Sequence, residues 1–444
     1  MMNWQQLMSP TRFQIDEHGT ISAVPPKAHT PYRTPFHTDY DRVVFSNAFR
    51  RLGRKTQVHP LAKNDHTHNR LTHSVEVASV GRSLGNRVGV MLAKGGFLPP
   101  ENTPSDIGAV VQVACLAHDM GNPPFGHTGE EALRDWFRNP EHAGYLKHLS
   151  EAERRDVQTY EGNAHSLRQT ASIEMYRNRG GMRLTAAGYG ALLKYPWTTS
   201  APQGLKKFNI YQTELPFIEC VAAELGLPEI AAHHWSRHPL SYLMEAADDI
   251  CYALLDLEDA VELGLLDDRE VENVLQGMVH IDKLWPEQSA RQRCAMLRGM
   301  AIGRAIDDMA QTFMLHHADL LAGSFQGKDL LSVCTPEVRD SLERAKELAR
   351  TRVFRHQSKL ITEIAAFPCI GSILNLLVPA AFAYLTKAHI GTRQSLALEL
   401  LRDDPLNEQD TLYTAYMKIL DFVGGMTDNA AARLAREVSG IGML

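Results

Sequence analysis

Apolar residues recur along this 444-residue chain at the three- and four-residue spacing of helices that bury one face. The stretch Asp106–His118, DIGAVVQVACLAH, is almost wholly apolar and predicts a helix buried on all sides. A helix striped with valine and leucine is predicted over Thr72–Val90, and a long amphipathic helix over Pro239–Leu266. Strand-like alternation is scarce, so we predict an all-α protein.

The remaining segments complete the predicted organisation. Prolines 25, 26, 31 and 35 exclude a continuous helix in residues 1–38, which we expect to form an extended arm. Further helices are predicted over Tyr40–Leu52 and over Thr128–Phe137, the latter opened by a capping box of Thr128 and Glu131, and 138–170 is predicted to be a polar, adaptable insertion. The predicted boundaries are 1–62 for the arm and first helix, 63–265 for the core, and 266–444 for a helical C-terminal region.

Composition narrows the function classes. Lys and Arg number 46 against 52 Asp and Glu, which excludes a globally basic nucleic-acid binder. The six cysteines form no CxxC pair, which argues against a zinc ribbon or a disulfide framework and is typical of a reducing cytoplasm. The N-terminal sequence has no basic segment followed by an apolar one, so we expect no signal peptide and a cytoplasmic protein. Twenty histidines direct attention to metal binding.

One stretch is long enough to span a bilayer. Residues Ile364–Thr386 contain no charged side chain. Pro368 and Pro379 would interrupt a membrane helix, so we predict a buried helix–turn–helix and no membrane contact.

Metal-binding residue types occur on three of the predicted helices. His118 and Asp119 end the buried apolar helix, where an aspartate is costly unless it is paired or bound to a metal. His73 and Asp248 lie within two other helices. Two histidines and two aspartates suit a divalent cation that accepts nitrogen and oxygen ligands. The spacing alone does not bring the three helices together, and a His-Asp pair also occurs at ordinary helix ends.

The third helix adds a geometric observation. Asp248, Tyr252 and Asp256 are spaced i, i+4 and i+8 and therefore share one face. At about 1.5 Å per residue, Asp256 lies roughly 12 Å from Asp248 along the axis, which is about the reach of a nucleotide from phosphate to sugar. A solvated acidic face is the alternative interpretation.

Three motifs in this order carry a family resemblance: RLTHS, HDMGNPPFGHTGEE and EAADDICYALLDLED. They resemble the bacterial deoxyguanosinetriphosphate triphosphohydrolase family of the HD-domain phosphohydrolases, from about Tyr40 through Asp259. The resemblance implies an HD-domain helical core with an N-terminal arm and a helical C-terminal region. It also implies hydrolysis of deoxynucleoside triphosphates to a deoxynucleoside and inorganic triphosphate. The implied metal ligands are His73, His118, Asp119 and Asp248, with Mn²⁺, Mg²⁺ or Fe²⁺ as the ion.

The same resemblance implies catalytic roles for His127 and Glu130. His127 would donate a proton to the leaving 5′-oxygen or take part in activating water, and Glu130 would accept its second N–H and orient it. Glu130 would alternatively only stabilise a helix N-terminus. Arg70 and Lys194 would bind phosphates, with Tyr195 beside Lys194, or would be ordinary surface cations.

Sugar contacts are implied for three further residues. Gln57 and Asp256 would bind the 3′-hydroxyl of the deoxyribose, and Tyr252 would pack under the sugar and disfavour a 2′-hydroxyl. The family's glutamine after Glu161-Gly162-Asn163 is replaced here by Ala164-His165, so His165 would line the nucleotide pocket or only cover it. The pair His233-His234 is interpreted as part of a loop rather than as a second metal site.

Two rival functions stay open. An HD phosphohydrolase acting on a monophosphate or a signalling nucleotide would use the same metal site. A regulator that binds nucleotides or single-stranded nucleic acid would use the basic segment Arg42–Lys55.

The resemblance also concerns partners. It implies a homo-oligomer, hexameric or tetrameric, and leaves open activation by a second dNTP or by single-stranded DNA. Arg352, Arg355 and His356 share one helix face and would reach a neighbouring subunit's phosphates or form a solvated surface.

Overall fold

The structure is a computed structural model that describes residues 1–16, 18–24, 33–57, 68–174, 181–201, 206–262, 264–279, 288–352 and 357–441. Twenty α-helices and two small antiparallel sheets lie within these residues, so the all-α prediction is confirmed. The helices are α1 Trp4–Leu7, α2 Pro35–Val44, α3 Asn47–Arg51, α4 Arg70–Lys94, α5 Pro104–Ala117, α6 Gly126–Arg138, α7 Ala143–Leu146, α8 Glu151–Gln158, α9 Gly162–Arg168, α10 Ala186–Leu192, α11 Leu215–Leu225, α12 Pro239–Glu262, α13 Asp268–Leu275, α14 Ala290–Leu315, α15 His317–Ala322, α16 Pro336–Arg352, α17 Gln357–Leu385, α18 Thr392–Leu398, α19 Leu412–Gly424 and α20 Asp428–Val438. The strands are β1 Arg12–Ile15, β2 Ile21–Val24, β3 Glu229–Ala231 and β4 His234–Trp235, with β1 paired to β2 and β3 to β4.

Helices α4 and α5 form the centre of the fold and approach each other closely. Gly85 of α4 faces Gly108 of α5, and a Cβ on Gly85 would lie 2.7 Å from the Gly108 Cα. Gly81 and Gly89 lie one turn to either side on α4, and a Cβ on either would also collide with α5. This row of glycines lets the two backbones come into contact, which explains why glycines interrupt the valine stripe of α4. The close packing also brings the start of α4 next to the end of α5.

Two hydrophobic cores divide the described residues. The first core combines side chains from α1–α5, α10–α14 and α16, including the apolar stripe of α12. The second core combines α6, α8 and α9 with α17–α20. The C-terminal region predicted as one unit therefore contributes to both cores, and the domain boundaries stay a prediction.

The N-terminal predictions need correction. Residues 1–16 are not an extended arm, because Met2, Trp4 and Leu7 are buried in the first core. Residues 25–32, which hold three of the four prolines, lie outside the described residues. The single helix predicted over Tyr40–Leu52 is also wrong. It ends at Val44, and a new helix begins after Ser46, whose hydroxyl accepts the Phe49 N–H and caps α3.

The predicted start of α6 and the predicted insertion after it are wrong as well. Helix α6 begins at Gly126, with Phe125 as the N-cap, so Thr128 and Glu131 form no capping box. Residues 138–170 form helices α7–α9 and are largely packed, with Val157 and Tyr160 fully buried in the second core. A simple composition count misses the apolar face of this segment because it also contains many polar residues.

Helix α17 replaces the predicted helix–turn–helix. It runs from Gln357 to Leu385 with Pro368 and Pro379 inside it. A proline inside a helix costs about 3 kcal/mol, and the burial of Ile370, Leu374 and Leu377 in the second core offsets that cost. By length and composition Leu360–Leu385 is apolar enough to cross a membrane, yet 44% of its most apolar window is buried against the rest of the chain. The expectation of no membrane contact stays a prediction.

Candidate active site

The three helices that carry the predicted metal ligands meet at one point. His73 lies on the first turns of α4, His118 directly follows α5, and Asp248 lies on α12. The Asp248 Oδ1 is 3.2 Å from the His73 Nε2 and 3.5 Å from the His118 Nε2. One donor atom from each of the three residues lies within 4.8 Å of the other two. The packing of α4, α5 and α12 therefore creates a site that sequence spacing alone did not establish.

Local contacts aim these donors at the common centre. The His118 Nδ1 lies 2.6 Å from the Cys115 carbonyl, which accepts its proton and leaves Nε2 facing Asp248. Burial opposes a charge on His118, but the carboxylates of Asp119 and Asp248 raise its pKa to about 9. Burial likewise opposes ionisation of Asp248, but His118 and His73 hold the pKa of that carboxyl well below its usual range. Such a cluster of imidazole and carboxylate fits a divalent cation by its donor chemistry.

Asp119 lies beside this group rather than inside it. Its Oδ1 is 3.7 Å from the His118 Nε2, and its Oδ2 accepts a hydrogen bond of 2.7 Å from Arg70. The Asn122 amide also donates to its Oδ1. Burial raises the pKa of Asp119, but the Arg70 guanidinium and His118 lower it to about 2. Arg70, predicted as a phosphate ligand, is thus paired with a predicted metal ligand.

His127 and Glu130 make the contact that their predicted roles require. The exposed imidazole of His127 donates from Nδ1 to the Glu130 Oε2 at 3.0 Å. Glu130 is buried, and its Oε1 accepts the Gly162 N–H at 2.7 Å. Burial opposes ionisation, but the hydrogen bond and charge of His127 hold the pKa of Glu130 below its ordinary value. The roles themselves stay predictions.

A cavity of about 380 Å³ lies next to these residues. Four predicted substrate-binding residues line it together with the metal ligands and with His127 and Glu130: Gln57, Arg70, Lys194 and Tyr252. Tyr195 and Asp256 are not among its lining residues. Asp256 is buried one turn beyond Tyr252, and the Tyr195 ring packs against Trp197 with centroids 5.5 Å apart. The structure therefore places neither at the cavity wall, and their roles stay predictions.

Lys194 lines the cavity, and its ammonium group is paired with a carboxylate. Its Nζ lies 3.2 Å from Glu245, which also accepts a hydrogen bond of 2.8 Å from Arg237. Burial opposes the ammonium charge, but Glu245 raises the pKa of Lys194 above its ordinary value. The ion pair with Glu245 therefore favours the charged form of Lys194.

Comparison with known proteins agrees with this geometry. The HD domain family matches residues 70–185. The chain is 44% identical over 449 residues to a deoxyguanosinetriphosphate triphosphohydrolase-like protein of Pseudomonas aeruginosa (strain LESB58), with 99% of both chains covered. It is 35% identical over 463 residues to a protein of the same name from Synechocystis sp., with 100% of both covered. A deoxyguanosinetriphosphate triphosphohydrolase of Salmonella arizonae is 30% identical over 494 residues, with 90% of this chain and 95% of that one covered.

The chain belongs to the deoxyguanosinetriphosphate triphosphohydrolase-like family of HD-domain proteins. As a family member it is a phosphohydrolase, and HD domains depend on a metal ion. The segment matched by the HD family contains His73, His118 and Asp119, whereas Asp248 lies beyond it.

Several residues that line the cavity of this triphosphohydrolase-like protein were not predicted from the sequence. Lys207 adds an exposed cation, Asn163 lines the wall next to Gly162, and Thr362 and Glu363 reach the cavity from α17. Only the Glu161-Gly162-Asn163 motif offered a signal for any of them. No spacing rule connects α17 with residues almost 300 positions earlier.

Two predictions about neighbouring residues can be resolved. His165 is fully buried, its ring is tilted 36° against that of Tyr160 with centroids 5.1 Å apart, and it is not among the residues that line the cavity. His233 and His234 lie at the turn and second strand of the β3–β4 hairpin, and they are not part of the metal-binding group found among the described residues.

The basic residues predicted to bind other partners are partly engaged in contacts within the chain, while Arg50 and Arg54 are exposed. In the Arg42–Lys55 segment, Arg42 donates to the Met182 carbonyl, Arg51 pairs with Glu174, and Lys55 is buried. Arg352 is exposed and lies 3.5 Å from Glu270, while Arg355 and His356 lie outside the described residues.

Proposed function

We propose that this protein hydrolyses deoxynucleoside triphosphates at the α-phosphorus and releases a deoxynucleoside and inorganic triphosphate. The observation that carries the proposal is the convergence of His73, His118 and Asp248 within 4.8 Å, at a cavity that also holds the His127–Glu130 pair. The names of the relatives support the substrate class.

The donor set indicates how a metal ion would be held. His73, His118 and Asp248 would ligate it, and Asp119, which is paired with Arg70 beside them, would be the fourth ligand. Mn²⁺, Mg²⁺ and Fe²⁺ all accept this combination of nitrogen and oxygen donors. When bound, such an ion neutralises charge on the α-phosphate and lowers the pKa of water.

The remaining groups bind substrate and move protons. A water oxygen forms the new bond to the α-phosphorus while the bond from phosphorus to the 5′-oxygen breaks, and the proton that the water loses passes to the solvent, from which His127 is reprotonated. His127 supplies the proton that the 5′-oxygen takes up, and Glu130 holds the imidazole in the donating orientation. Arg70, Lys194 and Lys207 balance the triphosphate charge.

The sugar end of the cavity would select deoxyribose. Tyr252 and Gln57 line the wall, and the Gln57 Oε1 is a buried atom without a hydrogen-bond partner among the described residues. A buried amide oxygen is costly to leave unsatisfied, so a sugar hydroxyl is a suitable donor for it.

The proposal includes assembly into a tetramer or hexamer. Helix α17 exposes an apolar stripe of Leu360, Ile361 and Ile364, with 63% of Ile361 and 70% of Ile364 accessible in the single chain. Exposed apolar patches of this kind mark interaction sites. Light scattering on the purified protein tests the oligomer, and parallel assays with a second dNTP or single-stranded DNA test activation by either.

The central experiment supplies each dNTP with Mn²⁺, Mg²⁺ or Fe²⁺ and identifies the phosphate product. Inorganic triphosphate is expected; pyrophosphate or orthophosphate, or faster turnover of monophosphates, contradicts the proposal and favours another nucleotide substrate. Asp119→Ala and the isosteric Asp119→Asn should both abolish turnover. The exposed Asp403→Ala serves as the matched control and should leave turnover unchanged.

A further inference from the structure

A carboxylate from the C-terminal end of the chain ties together two segments of the active-site wall. Asp428 is the first residue of α20 and is only 2% exposed. Its Oδ1 accepts the Phe125 N–H at 2.9 Å. Its Oδ2 accepts the Thr56 N–H at 3.0 Å and the Thr56 hydroxyl at 2.7 Å. Three donors from two distant segments thus converge on one buried side chain.

Both segments carry predicted site residues. Thr56 directly precedes Gln57, and Phe125 lies two positions before His127. Thr56 and Phe125 also line the cavity themselves, whereas Asp428 does not. Asp428 therefore lies behind the wall and holds it, without facing the substrate.

The backbone at Phe125 requires such a support. Phe125 has φ 65° and ψ 14°, in the left-handed region that favours glycine. A non-glycine residue there costs about 1–2 kcal/mol and persists only when its surroundings fix it. The hydrogen bond to Asp428 fixes the Phe125 amide, and the turn then directs His127 from the start of α6 toward the cavity.

A neighbouring lysine makes a parallel connection. The buried Lys55 donates from Nζ to the carbonyls of Asn122 and Gly424, each at 2.6 Å. Asn122 in turn donates to Asp119. Burial lowers the pKa of Lys55 to about 7. Adjacent residues Lys55 and Thr56 are therefore both joined to the turn between α19 and α20.

Capping of α20 does not explain Asp428. The cap is Thr427, whose hydroxyl accepts the Ala430 N–H at 3.2 Å. The Asp428 carboxylate instead points away from its own helix, to Thr56 and Phe125.

We infer that Asp428 is a positioning residue that sets His127 and Gln57 relative to the metal ligands through Phe125 and Thr56. This inference rests on the proposed function, because it assigns Asp428 to that reaction. Asp428 lies outside the segment matched by the HD family, so under this inference a residue beyond that segment influences the geometry of the site.

The test compares Asp428→Asn with Thr427→Ala in the full-length protein. Asparagine keeps the shape but can accept from only one of the two segments, so kcat should fall roughly tenfold or more. The Mn²⁺ dissociation constant should stay within about twofold. Thr427→Ala removes only the helix cap and should lower thermal stability while leaving kcat unchanged. Equal kcat losses in the two variants, or a wild-type kcat in Asp428→Asn, would overturn the inference.

Two further measurements check the inference by other means. Thr56→Val removes one hydroxyl and leaves the Phe125 contact in place, so it should raise KM more than it lowers kcat; the reverse order contradicts the inference. In ¹⁵N-histidine spectra, the His127 signal is assigned as the one that disappears in His127→Gln. This signal should shift in Asp428→Asn and not in Thr427→Ala. This spectroscopic result does not depend on turnover. If the wild type releases no triphosphate, the proposed function fails while the positioning of His127 is still decided.

Discussion

Replacing Glu130 by glutamine removes the charge behind His127 without changing the size of the side chain. The carboxylate accepts from the His127 Nδ1 at 3.0 Å and from the Gly162 N–H at 2.7 Å, and Arg134 lies 3.6 Å from Oε2. A glutamine has one acceptor oxygen, so it can keep only one of these two hydrogen bonds. If its oxygen stays on Gly162, its amide N–H faces the His127 Nδ1 and disfavours the doubly protonated imidazolium that would donate to the 5′-oxygen.

The magnitude follows from the charged hydrogen bond that is lost. Hydrogen bonds to charged groups contribute about 1.5–3 kcal/mol, and each 1.36 kcal/mol is about tenfold in rate. We therefore expect kcat to fall about 10- to 150-fold. KM and the Mn²⁺ affinity should change little, because Glu130 belongs to neither the cluster of metal donors nor the group of phosphate-binding cations.

The assay measures triphosphate release under saturating dNTP and Mn²⁺, with Glu131→Gln as the matched control. Glu131 is the next residue on α6, but its carboxylate is 52% exposed and contacts Arg134. A double variant with His127→Ala separates the two possible roles of Glu130. If Glu130 acts through His127, adding Glu130→Gln to His127→Ala costs nothing further. Additive losses, or a Glu130→Gln rate within about twofold of wild type, refute the orienting role.

Three other perturbations give independent outcomes. Saturating Mn²⁺ at about 100 times its dissociation constant should stabilise the fold by about 2.7 kcal/mol in thermal unfolding; His73→Gln should lose this shift and the exposed His389→Gln should keep it. Gly121→Ala should destabilise by about 1–3 kcal/mol in urea unfolding, because its Cβ would lie 2.1 Å from the Ser166 backbone nitrogen, whereas Gly144→Ala meets no atom within 4 Å and should be neutral. Burial raises the pKa of Asp156 to about 6 from 3.8, so its contribution is present below the unfolded pKa and is lost as pH rises through 6. Wild type should therefore lose roughly 2 kcal/mol relative to Asp156→Asn between about pH 4 and pH 7, and the same pH dependence of the unfolding free energy in both proteins would exclude this.

The sequence predicted the helices that hold the site better than it predicted their ends. The buried helix before His118 and the acidic helix around Asp248 were found because their apolar periodicity is strong. The start of α6 was missed because its N-cap is a phenylalanine with positive φ, which no capping rule anticipates. The Thr128–Glu131 spacing matched a capping box by coincidence, two residues inside the helix.

Side-chain partners were the least predictable part of the site. The pairing of Arg70 with Asp119 joins residues 49 positions apart, and only the meeting of α4 with the end of α5 creates it. Asp256 was expected at the sugar because it shares a helix face with Asp248 and Tyr252. Asp256 is buried and is not among the residues that line the cavity, and its sugar contact stays a prediction. Periodicity fixes which residues share a face, but it does not fix how far a pocket extends along it.

The arrangement of the two cores explains why distant parts of the chain bear on one reaction. The metal-binding residues His73, His118 and Asp248 lie on α4, α12 and the end of α5, which pack in the first core. The His127–Glu130 pair lies on α6, which packs against α17 in the second core. The distance between the candidate metal ligands and His127 is therefore set by how the two cores meet. Asp428, through Thr56, and Lys55, through Gly424, connect the two cores by hydrogen bonds. Substitutions at the C-terminal end should therefore lower the rate of the reaction more than the affinity for the metal.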